Sequence, residues 1–140
     1  ENGIDVIVVD SLAFKRYCDI TVLLNKKTVI ATDNDGNIQE NITNKYSEYT
    51  TKSNLIFVYE SNEELHTIEP SVAAVNFDTD SHAQTFRTVL SKRNSMMTKS
   101  KEEIIEFMTN NKAEWALRVF DSELKIIYPE YIQNAINELD

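Results

Sequence analysis

A chain of 140 residues that is 41% hydrophobic has the material for one domain with a real core and is cramped for two. Two glycines, two prolines and no repeat period exclude a loop-dominated or low-complexity protein. A formal net charge of −9 argues against a surface coated in phosphate-binding cations, and the short apolar runs exclude a membrane-spanning helix, which needs about 20 residues.

Taken in chain order, Ile4 to Val9 (IDVIVV) is a nearly continuous β-branched run, the pattern of a strand buried on both faces of a parallel sheet. Ser11 is placed to open a helix through Leu24, in which Leu12, Phe14, Tyr17, Cys18, Ile20 and Leu24 form a broad apolar stripe. Cys18, the single cysteine, reads as a buried thiol in a reducing cytoplasm, and no signal-peptide pattern opens the chain. A second strand spans Thr28 to Ala31 and runs into Thr32-Asp33-Asn34-Asp35-Gly36. Gln39 to Tyr49 reads as a modest helix, and Leu55 to Tyr59 as a third strand. Strand, helix, strand, helix, strand predicts an α/β fold with a parallel sheet covered by helices.

Beyond residue 70 the pattern is helical. Pro70 suits the first turn of a helix beginning near Ser71, and Asp80 or Ser81 is placed to cap another running to Leu90. Ser100 with Glu103 matches the capping box of a helix through Met108. Lys112 to Phe120 and Pro129 to Leu139 complete the set. From Ser81 to Lys101 there is no acid, while Arg87, Lys92, Arg93, Lys99 and Lys101 make the stretch locally basic, either a solvated helix face or a phosphate track.

The Asp33/Asp35 pair is the first chemical signal. In an extended segment alternate residues face one side, so both carboxylates can aim at one point beyond the C-terminal end of a strand, where open parallel sheets bind ligands. Hard oxygen donors of this kind suit Mg²⁺ or Mn²⁺. The same composition also describes a solvated acidic turn, and D-x-D alone leaves both readings open. An EF-hand loop starting at Asp33 fails, because Ile38 stands where its glycine belongs and Asn44 where its bidentate glutamate belongs. A haloacid-dehalogenase-like phosphatase, with Asp33 as nucleophile and Asp35 as general acid, nearly fits, but Asn37 occupies the Thr/Val position and the motif does not open the domain. One cysteine and two separated histidines do not make a usual zinc site.

More of the chain is accounted for together. VIVVDSLAFKRYCDITVLLNKKTVIATDNDG, HTIEP, NKAEWALRVF and YPEYIQNAI, in this order, resemble the Toprim domain of the overcoming-lysogenization-defect family of ATP-dependent endonucleases. The resemblance spans nearly the whole chain. It implies one Toprim-like domain over 1–140, with an α/β core over 1–69 and a helical part over 70–140. It further implies a metal-dependent DNA endonuclease using two ions, Mg²⁺ or Mn²⁺, with ATP entering only through an N-terminal ABC-type ATPase domain.

Carried over by position, Asp33, Asp35 and Glu69 match the family's metal ligands, and Lys112 matches the lysine that offsets charge at the scissile phosphate. Thr67 stands where some relatives carry a further acid. The family's first strand, which ends in a Glu-Gly motif, and its helix are not found ahead of Ile4, so the chain reads as a fragment with weak or no cleavage on its own. DNA and the ATPase domain are the implied partners, a homodimer is compatible, and no membrane is involved. A non-catalytic Toprim-like interaction or regulatory module is the alternative from another class. His66 and His82 read as surface histidines, Asp78 and Asp80 as helix-capping acids, and Trp115, Tyr128 and Tyr131 as packing residues.

Overall fold

The computed structural model describes residues 3–9 and 13–139. It is an α/β protein with a small two-stranded parallel sheet and a majority of helix, and the chain divides into two compact units. One runs to Glu64 and resumes at Glu130; the other is Leu65–Pro129.

In the first unit, α1 covers Phe14–Leu23, β1 Thr28–Thr32, β2 Leu55–Tyr59 and α6 Glu130–Asn137. The predicted helix thus starts at Phe14, and its expected opener Ser11, with Leu12, lies outside the described residues. Asn25 takes a left-handed conformation (φ 49°) just beyond α1, while the Lys26 amide reaches back to the Thr21 carbonyl, a stop that an asparagine tolerates. β1 and β2 lie parallel in the register Thr28↔Leu55 to Thr32↔Tyr59. α6 packs on both strands and α1 on β2. Cys18, Ile30, Tyr46, Tyr49 and Leu55 form the core here, with Phe14, Val22 and Phe57 against it.

Two expectations for this unit are corrected. Ile4 to Val9 is not a strand: Val8 is 96% exposed and residues 4–9 join neither strand of the sheet. A β-branched run becomes a strand only where a neighbour accepts its ladder bonds, and among the described residues none does. Gln39 to Tyr49 is not one helix but a wide π-type turn over Gln39–Asn44 followed by a 3₁₀ turn over Ser47–Tyr49. The Lys45 amide reaches the Glu40 carbonyl five residues back, which widens the coil.

The second unit is helical: α2 Ile68–Asn76, α3 Asp80–Leu90, α4 Lys101–Asn110 and α5 Lys112–Asp121. Val72, Ala73, Phe86, Leu90, Ile104, Met108 and Trp115 build its core. α2 begins three residues earlier than predicted, which puts Glu69 as well as Pro70 in its first turn. The cap of α3 is Thr79, whose hydroxyl accepts from the His82 amide, in place of Asp80 or Ser81. The capping box at α4 forms as read: Glu103 N–H donates to Ser100 Oγ at 3.2 Å and Ser100 N–H to Glu103 Oε2 at 2.8 Å. Arg118 closes the far end of α3 by donating to the Leu90 carbonyl, while its plane lies 5.1 Å from the Phe107 ring. Buried Asn76 accepts from the Ile127 amide and donates to the Ile127 carbonyl, fastening the segment after α5 to the end of α2.

Candidate functional site

Asp33 follows β1 directly, as the sequence reading placed it. The segment does not stay extended. Asp35 and Gly36 both take left-handed backbone conformations (φ 50° and 76°), and the Asn37 amide donates back to the Asn34 carbonyl, closing a tight turn. The alternation that would aim Asp33 and Asp35 to the same side therefore ends at Asn34. Asp33 is half-buried and Asp35 exposed.

The organiser of this turn is the residue between them. Asn34 is fully buried; its amide donates to the carbonyls of Glu60 at 2.7 Å and Asn62 at 3.1 Å, and its Oδ1 accepts from the Gly36 amide at 2.8 Å. It stitches the chain leaving β1 to the chain leaving β2. Sequence reasoning treated it as the spacer of D-x-D. The signal was present, since Asn two positions before Gly favours an Asx turn with a left-handed partner.

In the second unit, Glu69 and Lys112 are brought together, with Glu69 Oε1 3.4 Å from Lys112 Nζ. α2 and α5 supply one each, and each residue sits in the first turn of its helix. The backbone turns sharply at Asn111, which ends α4 and precedes α5, so Lys112 is the first residue of the new helix. A cation there opposes the helix dipole, and Glu69 supplies the compensating charge. The Glu69 side chain is only 2% exposed, that of Lys112 69%. Glu69 Oε1 has no hydrogen bond among the described residues; the ammonium lies at ion-pair distance without the alignment of one. Trp115, one turn beyond Lys112 and 8% exposed, has its Nε1–H enclosed and unpaired in the same sense. The second unit thus contains an orphaned buried acceptor, an orphaned buried donor and a solvent-reaching cation. Such groups are uncommon in native proteins, because each forfeits its hydration.

The other sequence candidates are dispersed. Among the described residues, no group of three or more His, Cys, Asp or Glu side chains stands close enough to share one ion. His66 is exposed. His82 Nδ1 lies 2.5 Å from Asp78 one turn earlier, and this contact holds the Asp78 carboxyl below the ordinary carboxylate range. Asp80 sits in the first turn of α3. Burial pushes the Cys18 thiol up, away from nucleophile chemistry. A polar cluster the sequence did not announce lies beside it: Tyr49 donates to Asp19 Oδ1 at 2.7 Å and Lys15 pairs with Glu48 at 2.7 Å. Burial first, then that hydrogen bond, pushes the Tyr49 phenol well above its usual range. In the basic stretch, Arg87 lies 4.8 Å from the Phe77 ring and donates to the Lys99 carbonyl, and Lys99 pairs with Glu103, so two of its five cations serve packing and capping.

No helix among the described residues is long and apolar enough to cross a membrane. Compared with protein-family profiles, curated proteins and solved structures, the chain has no match in any of the three.

Proposed function

We propose that this chain is a Toprim-like catalytic module of a divalent-metal-dependent DNA endonuclease, in which Glu69 and Lys112 handle the phosphodiester and Asp33 and Asp35 are cation ligands. The observation that carries the reading is the 3.4 Å approach of Glu69 and Lys112, the acid and the lysine that the family resemblance picks out from distant parts of the sequence. Their chemistry is also suitable. The carboxylates of Asp33, Asp35 and Glu69 are hard oxygen donors, and the orphaned Oε1 of Glu69 has coordination capacity that no protein donor uses. When bound, Mg²⁺ or Mn²⁺ would supply activation of the attacking water and neutralisation of the leaving oxygen.

The chain's own part is positioning and charge. Lys112, at the head of α5 and largely solvent-accessible, holds a scissile phosphate oxygen and offsets the negative charge that grows on it in the transition state. Glu69 fixes the ammonium beside that position. Exposed Arg93, in the turn after α3, offers a sequence-independent contact to the DNA backbone. In this reading ATP acts through an attached ABC-type ATPase domain, and DNA is the partner of the module itself.

The deciding experiment is a Mg²⁺ titration followed by amide chemical shifts, beside a plasmid-nicking assay with Mn²⁺. Shifts at residues 33 and 35 that vanish in Asp33→Ala/Asp35→Ala and a shift at residue 69 that vanishes in Glu69→Gln, with nicking abolished in Lys112→Ala, are the expected result. Amides that stay unmoved at millimolar metal would overturn the assignment in favour of a non-catalytic interaction module, with Glu69–Lys112 as a structural ion pair.

A further inference from the structure

Helix geometry sets Glu69 into the core. Glu69, Val72, Ala73 and Asn76 recur at the i, i+3, i+4, i+7 spacing of one face of α2, and all four are buried. A carboxylate thus occupies a position that a leucine could fill. Its Oε1 receives no hydrogen bond among the described residues, and the cation beside it is Lys112 Nζ at 3.4 Å. An enclosed carboxylate without donors is costly unless a counter-charge stands close, so the chain keeps an anion that needs a cation.

The two members of this pair are unequally held. The Glu69 side chain is 2% exposed and rooted in the first turn of α2, whose dipole favours a negative charge there. That of Lys112 is 69% exposed and stands in the first turn of α5, where the dipole opposes its own charge, and its flexible stem can carry the ammonium into water. When the pair opens, the lysine leaves and the carboxylate stays. It then lacks a counter-charge in an enclosure where that is costly. A small, hard divalent cation meets the need, since Mg²⁺ is held by one or two carboxylates and keeps waters and phosphate oxygens as its other ligands. Two cations in contact with one enclosed carboxylate repel each other strongly at low dielectric, so Glu69 serves one at a time. Building on Glu69 as a cation ligand in the nuclease reading, we propose that Lys112 is a latch on that cation site. Glu69 holds either the ammonium or a divalent cation, and entry of the cation sends Lys112 outward, free to take a phosphate oxygen. By linkage, a phosphate that draws Lys112 away tightens the cation by the same factor.

A Mg²⁺ titration of the full chain tests the latch, read from the side-chain carboxyl carbon resonance of Glu69 and the ε-carbon resonance of Lys112, each assigned by substitution. Both signals are expected to move with one half-saturation concentration, Lys112 toward the value of a free lysine. Glu69→Gln should put Lys112 at that value with no metal present and abolish its response. Lys112→Ala and Lys112→Gln should each tighten Mg²⁺ at Glu69 at least about fivefold. Lys125→Ala, which removes an exposed cation of the same unit, should leave that affinity unchanged. Helical CD and Trp115 emission will show that each variant keeps the fold. A Glu69 signal that moves while Lys112 stays put, or a Lys112→Ala protein that binds Mg²⁺ no more tightly than the parent, would overturn the latch and leave the nuclease reading standing. So would a response at Asp33 and Asp35 with none at Glu69. Silence at residues 33, 35 and 69 alike would overturn the nuclease reading and the latch with it.

Discussion

Glu69 shows how a single residue can be expensive and retained. Its carboxylate is almost wholly enclosed, one oxygen lacks a hydrogen bond among the described residues, and the counter-charge beside it is a lysine whose own side chain is mostly in water. Breaking a fully buried pair by deleting one partner costs about 3–5 kcal/mol, and an exposed pair contributes about 0–1. With one partner solvated, Lys112→Ala is expected to cost about 1–2 kcal/mol, between those limits. Glu69→Gln alone should be nearly neutral or stabilising, because it removes the charge and keeps the shape. In the Lys112→Ala background, Glu69→Gln should recover most of the loss. Urea unfolding followed by emission of Trp115, the only tryptophan, measures all four corners of the cycle. A Lys112→Ala protein as stable as the parent would mean that the lysine holds nothing in place.

At the scale of elements, the clearest device is the start of α4, where a local sequence rule and the fold agree. Ser100→Ala removes the hydroxyl that accepts from the Glu103 amide and should cost about 1 kcal/mol. Glu103 gives that helix a pH dependence. Its hydrogen bond from Lys99, then the one from the Ser100 amide, lowers its carboxyl below the ordinary value of 4.5. A carboxyl with a depressed folded value stabilises above its unfolded value, and that contribution is lost as pH falls through the folded one. Acid titration of the Glu103 side chain by NMR should therefore show protonation later than for an ordinary glutamate, with local loss of α4 N-terminal amide protection below it. Lys99→Ala, which removes the first of those bonds, should bring the titration back toward ordinary behaviour. Elements with such local signals were legible in advance: β1 and β2 to within one residue, α4 with its cap, and α5 from Lys112 onward. Those that depend on what lies beside them were not. IDVIVV carries a strand's composition without a ladder partner among the described residues, and the wide turn at Gln39–Asn44 has no period of its own. At the candidate site, nothing in the residues announced that Glu69 and Lys112 would pair, and the family resemblance had given each a separate role, metal ligand and phosphate contact. The turn that separates the aspartates was written in Asn34-Asp35-Gly36 and was overlooked in favour of the acids.

On the scale of the whole chain, the division into units follows from how the core residues are distributed along the sequence. The helical unit is continuous, from Leu65 to Pro129, and has its own apolar cluster of Val72, Phe86, Leu90, Ile104, Met108 and Trp115. The α/β unit is split: its strands come from the first half, and α6, which packs on both of them, returns from the other end. Sequence patterning placed α6 correctly as a helix but could not tell which core it would cover, because amphipathic spacing records that a face is buried and not against what. Unequal consequences follow from cutting the chain. Removal of residues 130–140 takes from the sheet the helix that packs on both strands and leaves a two-stranded sheet that is marginal in water. That truncation should abolish cooperative unfolding of the α/β unit while Trp115 keeps its buried emission. Residues 65–129 expressed alone should retain helical CD and the same emission maximum, since helices of local contact order fold without distant partners. Should Trp115 shift to a solvent-exposed spectrum in both pieces, the helical unit would depend on the rest of the chain for its core, and the separate cluster seen around Phe86 and Met108 would not be enough to hold it.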